Sequence, residues 1–200
     1  MKKIKKVLIC IDMQNDFIYG PLGTPEAREI VPKVVRKVKE EVKNPDTVVL
    51  FTADMHGEDY LNTLEGKYLP IEHAILGTDG CKIIRELREI MDSKSSGRGF
   101  NTLIEDIFGV GAEQCVTKDT FGVAQWDLFL DWICDDEDVV IELIGVDTDI
   151  CVVSNALILR SVFKDNEIVV DASCCAGSTP ERHKAALEVM KSCQINVIGE

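Results

Sequence analysis

Three residues whose types together suit a covalent hydrolase stand far apart in this chain: Asp12, Lys118 and Cys151. A thiol attacks a carbonyl carbon only when its proton has somewhere to go, and a carboxylate such as Asp12 can take it as general base. An ammonium such as Lys118 favours the thiolate and orients the carboxylate. Cys151 ends the run Gly145-Val146-Asp147-Thr148-Asp149-Ile150. That places it at an expected helix N-terminus, where unpaired N–H groups and the helix dipole favour a negative sulfur. Each residue alone has an ordinary reading as a packed helix cysteine, a turn aspartate or a solvated lysine. The chemistry needs the set.

A second group carries metal chemistry. Asp54 and His56 are two residues apart, and in extended backbone such side chains point the same way. His73 follows in the same irregular stretch, so Asp54, His56 and His73 make a candidate N/O site for a divalent ion. Zinc is the leading choice and iron or manganese are alternatives, with open positions for water. Glu65 is a candidate fourth ligand. Phe17, Tyr68 and Phe121 are candidate aromatic walls of a substrate pocket.

These side chains need a scaffold that gathers them. Short apolar runs at Lys5–Ile11, Asp46–Ala53, Gln114–Thr117, Asp138–Gly145, Glu167–Asp171 and Gln194–Ile198 suit strands covered on both faces. Between them lie three-to-four spacings of apolar residues: Val31 to Val42, Ile83 to Met91 and Trp126 to Ile133. Cys151–Phe163 is apolar nearly all round. Ser178-Thr179-Pro180-Glu181 starts a last helix, and Pro32 is expected to begin a helix rather than interrupt one. Alternating strands and helices predict one α/β domain over residues 1–200, three-layered and doubly wound around a parallel sheet. Asp12, Asp54 with His56, Lys118 and Asp147 to Cys151 then stand past the ends of strands one to four, at one sheet edge. Ligands bind at that edge in open α/β sheets. Residues 93–108, a polar glycine-containing loop and an expected short helix over 101–108, are a candidate lid.

Composition narrows the function. Hydrophobic residues at 46% and charged residues at 28% fit a globular domain rather than a disordered chain. A formal charge of −13, with acidic residues spread along the chain, argues against a nucleic-acid partner. No stretch has the length of a secretion signal or a membrane span, so a cytoplasmic protein with no membrane partner is expected. The eight cysteines include no C-x-x-C pair and read as reduced thiols. Neither G-x-G-x-x-G nor a P-loop is present, and the D-x-D of an aspartyl phosphatase is missing at Asp12-Met13-Gln14.

Six segments carry a family resemblance: IDMQNDF (11–17), TADMH (52–56), LPIEHAILGTDG (69–80), TKDTF (117–121), GVDTDICV (145–152) and STPERHKAAL (178–187). Their order and spread are similar to the isochorismatase-like cysteine hydrolases, nearest to the nicotinamidase/pyrazinamidase branch. The resemblance implies a six-stranded parallel sheet and a triad of Asp12, Lys118 and Cys151. It also implies a cis peptide between Val146 and Asp147, leaving the N–H groups of Asp147 and Cys151 as an oxyanion hole. The implied reaction converts nicotinamide to nicotinate and ammonia through a Cys151 thioester. A metal on Asp54, His56 and His73, sometimes joined by Glu65, holds the pyridine nitrogen. A homo-oligomer is also implied, and His183 is read as structural.

Three positions depart from the family pattern. Leu69 replaces an aromatic residue, Asp119-Thr120-Phe121-Gly122 replaces a tyrosine-serine-alanine stretch, and Asp147 replaces a small residue. All three touch the pocket rather than the triad. Hydrolysis of another small amide, a ureido compound or a vinyl ether is therefore the alternative within the fold. A catalytically silent binding protein is the alternative outside enzyme function.

Overall fold

A computed structural model describes residues 3–92, 115–134 and 138–200. The strands are β1 (Lys6–Ile11), β2 (Thr47–Asp54), β3 (Cys115–Lys118), β4 (Val140–Val146), β5 (Ile168–Ala176) and β6 (Asn196–Ile198). Over the described residues they form one all-parallel six-stranded sheet in the order β3-β2-β1-β4-β5-β6. Helices α1 (Asn15–Ile18), α2 (Pro25–Glu41), α3 (Leu64–Tyr68), α4 (Arg85–Asp92), α5 (Trp126–Cys134), α6 (Val153–Val162) and α7 (Pro180–Ser192) connect them. None of the described helices is long and apolar enough to cross a membrane.

The sheet is buried on both faces, which is why its strands read as continuous apolar runs. Leu8, Cys10, Phe51 and Ile144 face a core completed by Val31, Val34 and Val38 of α2 and by Leu87 of α4. Val7, Ile9, Ile11 and Leu143 face the other, completed by Trp126 and Leu130 of α5, Leu159 of α6 and Met190 of α7. These are the three layers of the expected doubly wound fold. Strand order reverses between β1 and β4, the place where such sheets open a crevice.

Two local expectations are corrected. Pro32 does not start a helix: it lies inside α2, which begins seven residues earlier at Pro25. The Thr24 hydroxyl caps that start by accepting from the Ala27 N–H at 3.0 Å, and Pro25 takes the first position, where its missing donor costs nothing. β5 runs to Ala176 rather than ending at Asp171. Asp171 instead accepts from the Ser173 N–H and hydroxyl, and the register against β4 shifts between Leu143 and Gly145. The proposed lid, residues 93–108, lies outside the described residues.

The layer against α2 contains an ionic cluster. Glu142, 3% exposed in β4, meets Lys37 of α2 and also Lys6 at 2.6 Å; Lys37 meets Asp171, and Lys6 meets Glu41 at 2.6 Å. Burial works against the charge on Lys37, but Asp171 and Glu142 outweigh it and raise its pKa to about 12. Removing one partner leaves buried carboxylates undercompensated. Lys37→Met is therefore expected to lower stability by about 3 kcal/mol, read as an earlier urea midpoint at pH 7. An unshifted midpoint would show that the cluster contributes no net stability.

Candidate active site

Strands β2 and β3 end on Asp54 and Lys118, Asp12 and Asp147 directly follow β1 and β4, and parallel register brings these ends level. Asp54 pairs with Lys118 across β2 and β3, and Ile11 with Gly145 across β1 and β4. The close approach of β1 and β4 requires a glycine. Gly145 has φ +118°, and a Cβ there would lie 2.1 Å from the Ile11 carbonyl oxygen. Beyond β1 the chain turns at Asp12 in the left-handed region, φ 47°.

Asp12, Lys118 and Cys151 meet there, all buried. Lys118 Nζ lies 2.7 Å from Asp12 Oδ2 and 3.6 Å from Cys151 Sγ. Asp12 is also a charged neighbour that acts on the Cys151 thiol. Thr52 fixes the aspartate by donating to its Oδ1 at 2.6 Å and accepting from its backbone N–H at 3.1 Å. Burial raises the Asp12 pKa against the pull of Lys118. Burial also opposes the charge on Lys118, but Asp12, Cys151 and Asp54 outweigh it and strengthen its hold on the proton.

The cysteine corrects one expectation. Its thiol is pushed well above the ordinary range, first by burial and then by Asp12, against the lowering effect of Lys118. Cys151 lies in a π-helical turn, Thr148–Val152, and α6 begins only at Val153. The resting group is the thiol, with a base in place, rather than a thiolate stabilised by a helix N-terminus. The Val146–Asp147 peptide is cis. The Asp147 carbonyl accepts from the N–H groups of Ile150 and Val152, both at 3.0 Å, on either side of Cys151.

Asp54, His56, Glu65 and His73 each offer a ligand atom, all within 4.8 Å of one another. His56 Nε2 is 3.0 Å from Asp54 Oδ2, while His73 Nε2 is 3.8 Å from the same oxygen and 3.7 Å from Glu65 Oε1. The His73 Nδ1–H donates to the Ile71 carbonyl at 2.8 Å, which turns a lone pair on Nε2 toward the group. Phe17 and Tyr60 pack against the His73 ring. Lys118 links the two constellations, its Nζ 3.3 Å from Asp54 Oδ1. Burial raises the Asp54 pKa, but the hydrogen bond with His56 and the Lys118 charge bring it below the usual range. Two carboxylates and two imidazoles at this spacing fit a divalent transition ion.

A cavity of about 840 Å³ opens beside this group, lined by residues that include His56, Glu65, Tyr68, Leu69, Asp119, Phe121 and Ile150. Tyr68 and Phe121 stand at its wall as expected. Phe17 does not line it: it is buried in α1 with its ring against His73. His183 has a structural contact, its Nδ1 2.8 Å from the Thr148 hydroxyl.

Three supporting residues carry no signal in spacing alone. Thr52 is one. Gln14 accepts from the Asp54 N–H at 2.7 Å and donates to the carbonyls of Asp54 and Cys81 at 2.9 and 2.7 Å, pinning the metal-ligand segment. Asn155, fully buried, accepts from the Val123 N–H and from Trp126 Nε1, both at 3.0 Å. It donates to the Cys151 carbonyl at 2.8 Å and to Phe121 at 3.2 Å. A buried amide with such bonds ties the pocket wall to the nucleophile's turn. Only an apolar helix interrupted by Asn hints at it in the sequence.

Comparison with known proteins agrees with this architecture. The isochorismatase-domain family model matches residues 6–199. The isochorismatase family protein PncA of Bacillus subtilis is 30% identical over 191 residues, covering 92% of this chain and 93% of that protein. A crystal structure of nicotinamidase PncA from Bacillus subtilis superposes with a TM-score of 0.73 at 27% identity, covering 97% of this chain and 99% of the other. The pyrazinamidase of Pyrococcus horikoshii in complex with zinc shares the fold, with a TM-score of 0.68 at 23% identity over 98% and 99% of the two chains. With a family match over nearly its whole length, the chain belongs to the isochorismatase family.

Proposed function

We propose that the protein is a cysteine amidohydrolase acting on a small carboxamide, with nicotinamide to nicotinate and ammonia as the leading reaction. The observation that carries this reading is the Lys118 ammonium, 2.7 Å from Asp12 and 3.6 Å from Cys151, beside a group with four candidate metal ligands. The similarity to nicotinamidase PncA and its relatives supports the substrate class.

In this mechanism Asp12 takes the thiol proton as Cys151 Sγ attacks the carboxamide carbon. The N–H groups of Asp147 and Cys151 receive the oxyanion, and Asp12 returns the proton to the departing nitrogen, which leaves as ammonia. Asp12 then removes a proton from water as the water oxygen attacks the thioester, the tetrahedral intermediate collapses to the acid product, and Asp12 returns the proton to the departing Cys151 sulfur. Lys118 holds Asp12 in place and offsets the negative charge that moves between base and sulfur. Asp54, His56 and His73, with Glu65, are the residues that would hold a divalent ion, zinc first among the candidates. Such an ion offers Lewis-acid binding to a ring nitrogen of the substrate. Tyr68 and Phe121 flank the ring.

The cavity favours a second reading within the same chemistry. A volume of about 840 Å³ exceeds what one pyridine ring fills, and Leu69 and Asp119 stand where the family pattern has other residues. A bulkier carboxamide would occupy that space.

The test is ammonia release from a panel of carboxamides, with ureido compounds and isochorismate as competitors. Cys151→Ala should reduce kcat by about 10³-fold or more, and Asp12→Asn by about 10²-fold or more. Full activity in Cys151→Ala would remove the nucleophile assignment. Exhaustive chelation should depress kcat/KM for nicotinamide, with recovery on adding zinc, iron or manganese. His73→Ala should act mainly by raising KM, and indifference to both treatments would remove the metal from the proposal.

A further inference from the structure

Asp147 has an unusual electrostatic setting. Its backbone is pinned to the turn that carries Cys151, because its carbonyl accepts from Ile150 and Val152. Its side-chain Oδ1 is buried with no hydrogen-bond partner among the described residues. An orphaned buried acid oxygen on the residue that caps the nucleophile's turn calls for an occupant. The charged groups around it offer no relief. Asp12 reaches it from the end of β1, already ion-paired with Lys118 of β3. Asp149 lies in the same turn and accepts from the Ser178 N–H and hydroxyl at 2.7 and 2.6 Å. From α7 comes His183, bonded to Thr148 and held below its ordinary pKa first by burial, so that it is neutral near pH 7. The β5 residue level with Val146 is Ala176.

We propose that Asp147 is a specificity-determining residue of this site, presenting a neutral carboxyl that hydrogen-bonds an acceptor on the substrate beside the scissile carbonyl, and stopping turnover when ionised. This rests on the amidase reading. The oxyanion would form against the Asp147 N–H, so a carboxylate on the same residue would add a second negative charge to the turn, where burial leaves the repulsion poorly screened. A neutral carboxyl instead supplies a donor. Burial, Asp149 and Asp12 push its pKa up to about 7, so both forms are accessible in ordinary buffers.

The experiment compares wild type with Asp147→Asn, which keeps a donor but cannot ionise, and Asp147→Ala, which has neither. With the best carboxamide from the panel, wild-type kcat/KM should fall about tenfold per pH unit above about pH 7. Both variants should lose that alkaline limb. Asp147→Ala should also raise KM about tenfold while Asp147→Asn leaves it near the wild-type value. An alkaline limb retained in Asp147→Asn, or an unchanged KM in Asp147→Ala, overturns the proposal.

A second arm needs no substrate. The Asp147 pKa is raised in the folded state, so the unfolded chain releases this proton near 3.8 and the folded protein only near 7. Wild-type stability is therefore lost as pH rises through that window, and Asn escapes the loss. The Tm advantage of Asp147→Asn should be larger at pH 8 than at pH 5, and an equal difference at both overturns the neutral carboxyl. Absence of turnover with every carboxamide would instead sink the amidase reading, while the melting arm still decides the state of Asp147.

Discussion

One buried ammonium holds the two halves of the site together. Lys118 Nζ touches Asp12, Asp54 and Cys151 at 2.7, 3.3 and 3.6 Å. Two carboxylates this close repel each other in a poorly screened interior, and a cation between them turns the repulsion into a network. The lysine's own desolvation is offset by the same contacts, so none of the three charges is tolerable without the others. The candidate base and the candidate metal group therefore form a single electrostatic unit. Lys118 gets there through register, since parallel pairing sets it level with Asp54 at the end of a four-residue strand.

The backbone constraint is complementary. Strands β1 and β4 are neighbours in the sheet but far apart along the chain, and their carboxyl ends must approach closely for the base to meet the nucleophile. Gly145 permits that approach and the left-handed turn at Asp12 aims the carboxylate, with Thr52 fixing its orientation from β2. Asn155 then ties the turn of Cys151 to the loop carrying Phe121. The reacting groups are positioned by regular elements and the pocket by hydrogen bonds to them, an order of rigidity that suits covalent chemistry.

Much of this was legible in the sequence because parallel strands buried on both faces leave an unambiguous apolar signal, and polar residues just past such strands must share an edge. Asp12, Lys118 and Cys151, and Asp54 with His56, followed from that rule alone. Helix starts were less legible. Pro32 looked like a beginning because proline favours a first turn, yet Thr24-Pro25-Glu26 had the stronger capping chemistry and the longer amphipathic face won. Phe17 packs its ring against His73 from α1, a placement that aromatic character alone does not specify. The supporting amides of Gln14 and Asn155 are invisible to spacing arguments, since their partners are backbone groups brought close only by the tertiary fold.

The thiol's resting state shows how tertiary context reverses a local rule. A helix N-terminus lowers a cysteine pKa when the sulfur is accessible and the helix begins there. Here the sulfur is buried, an aspartate stands beside it, and the regular α-helix starts two residues later. The carboxyls around it differ according to what each one touches. Asp54 has His56 and Lys118 and is held below the usual range, whereas Asp12 has Lys118 and Thr52 yet is raised by deeper burial. Asp147 Oδ1 has no hydrogen-bond partner among the described residues, and burial with Asp149 and Asp12 raises the carboxyl to about 7. Raising the base narrows its gap to the thiol while burial of the thiol widens it, so the transfer leans on the Lys118 charge beside both groups. The proton can then cross between them as the carbon–sulfur bond forms, without a free thiolate having to persist in a site already crowded with negative charge.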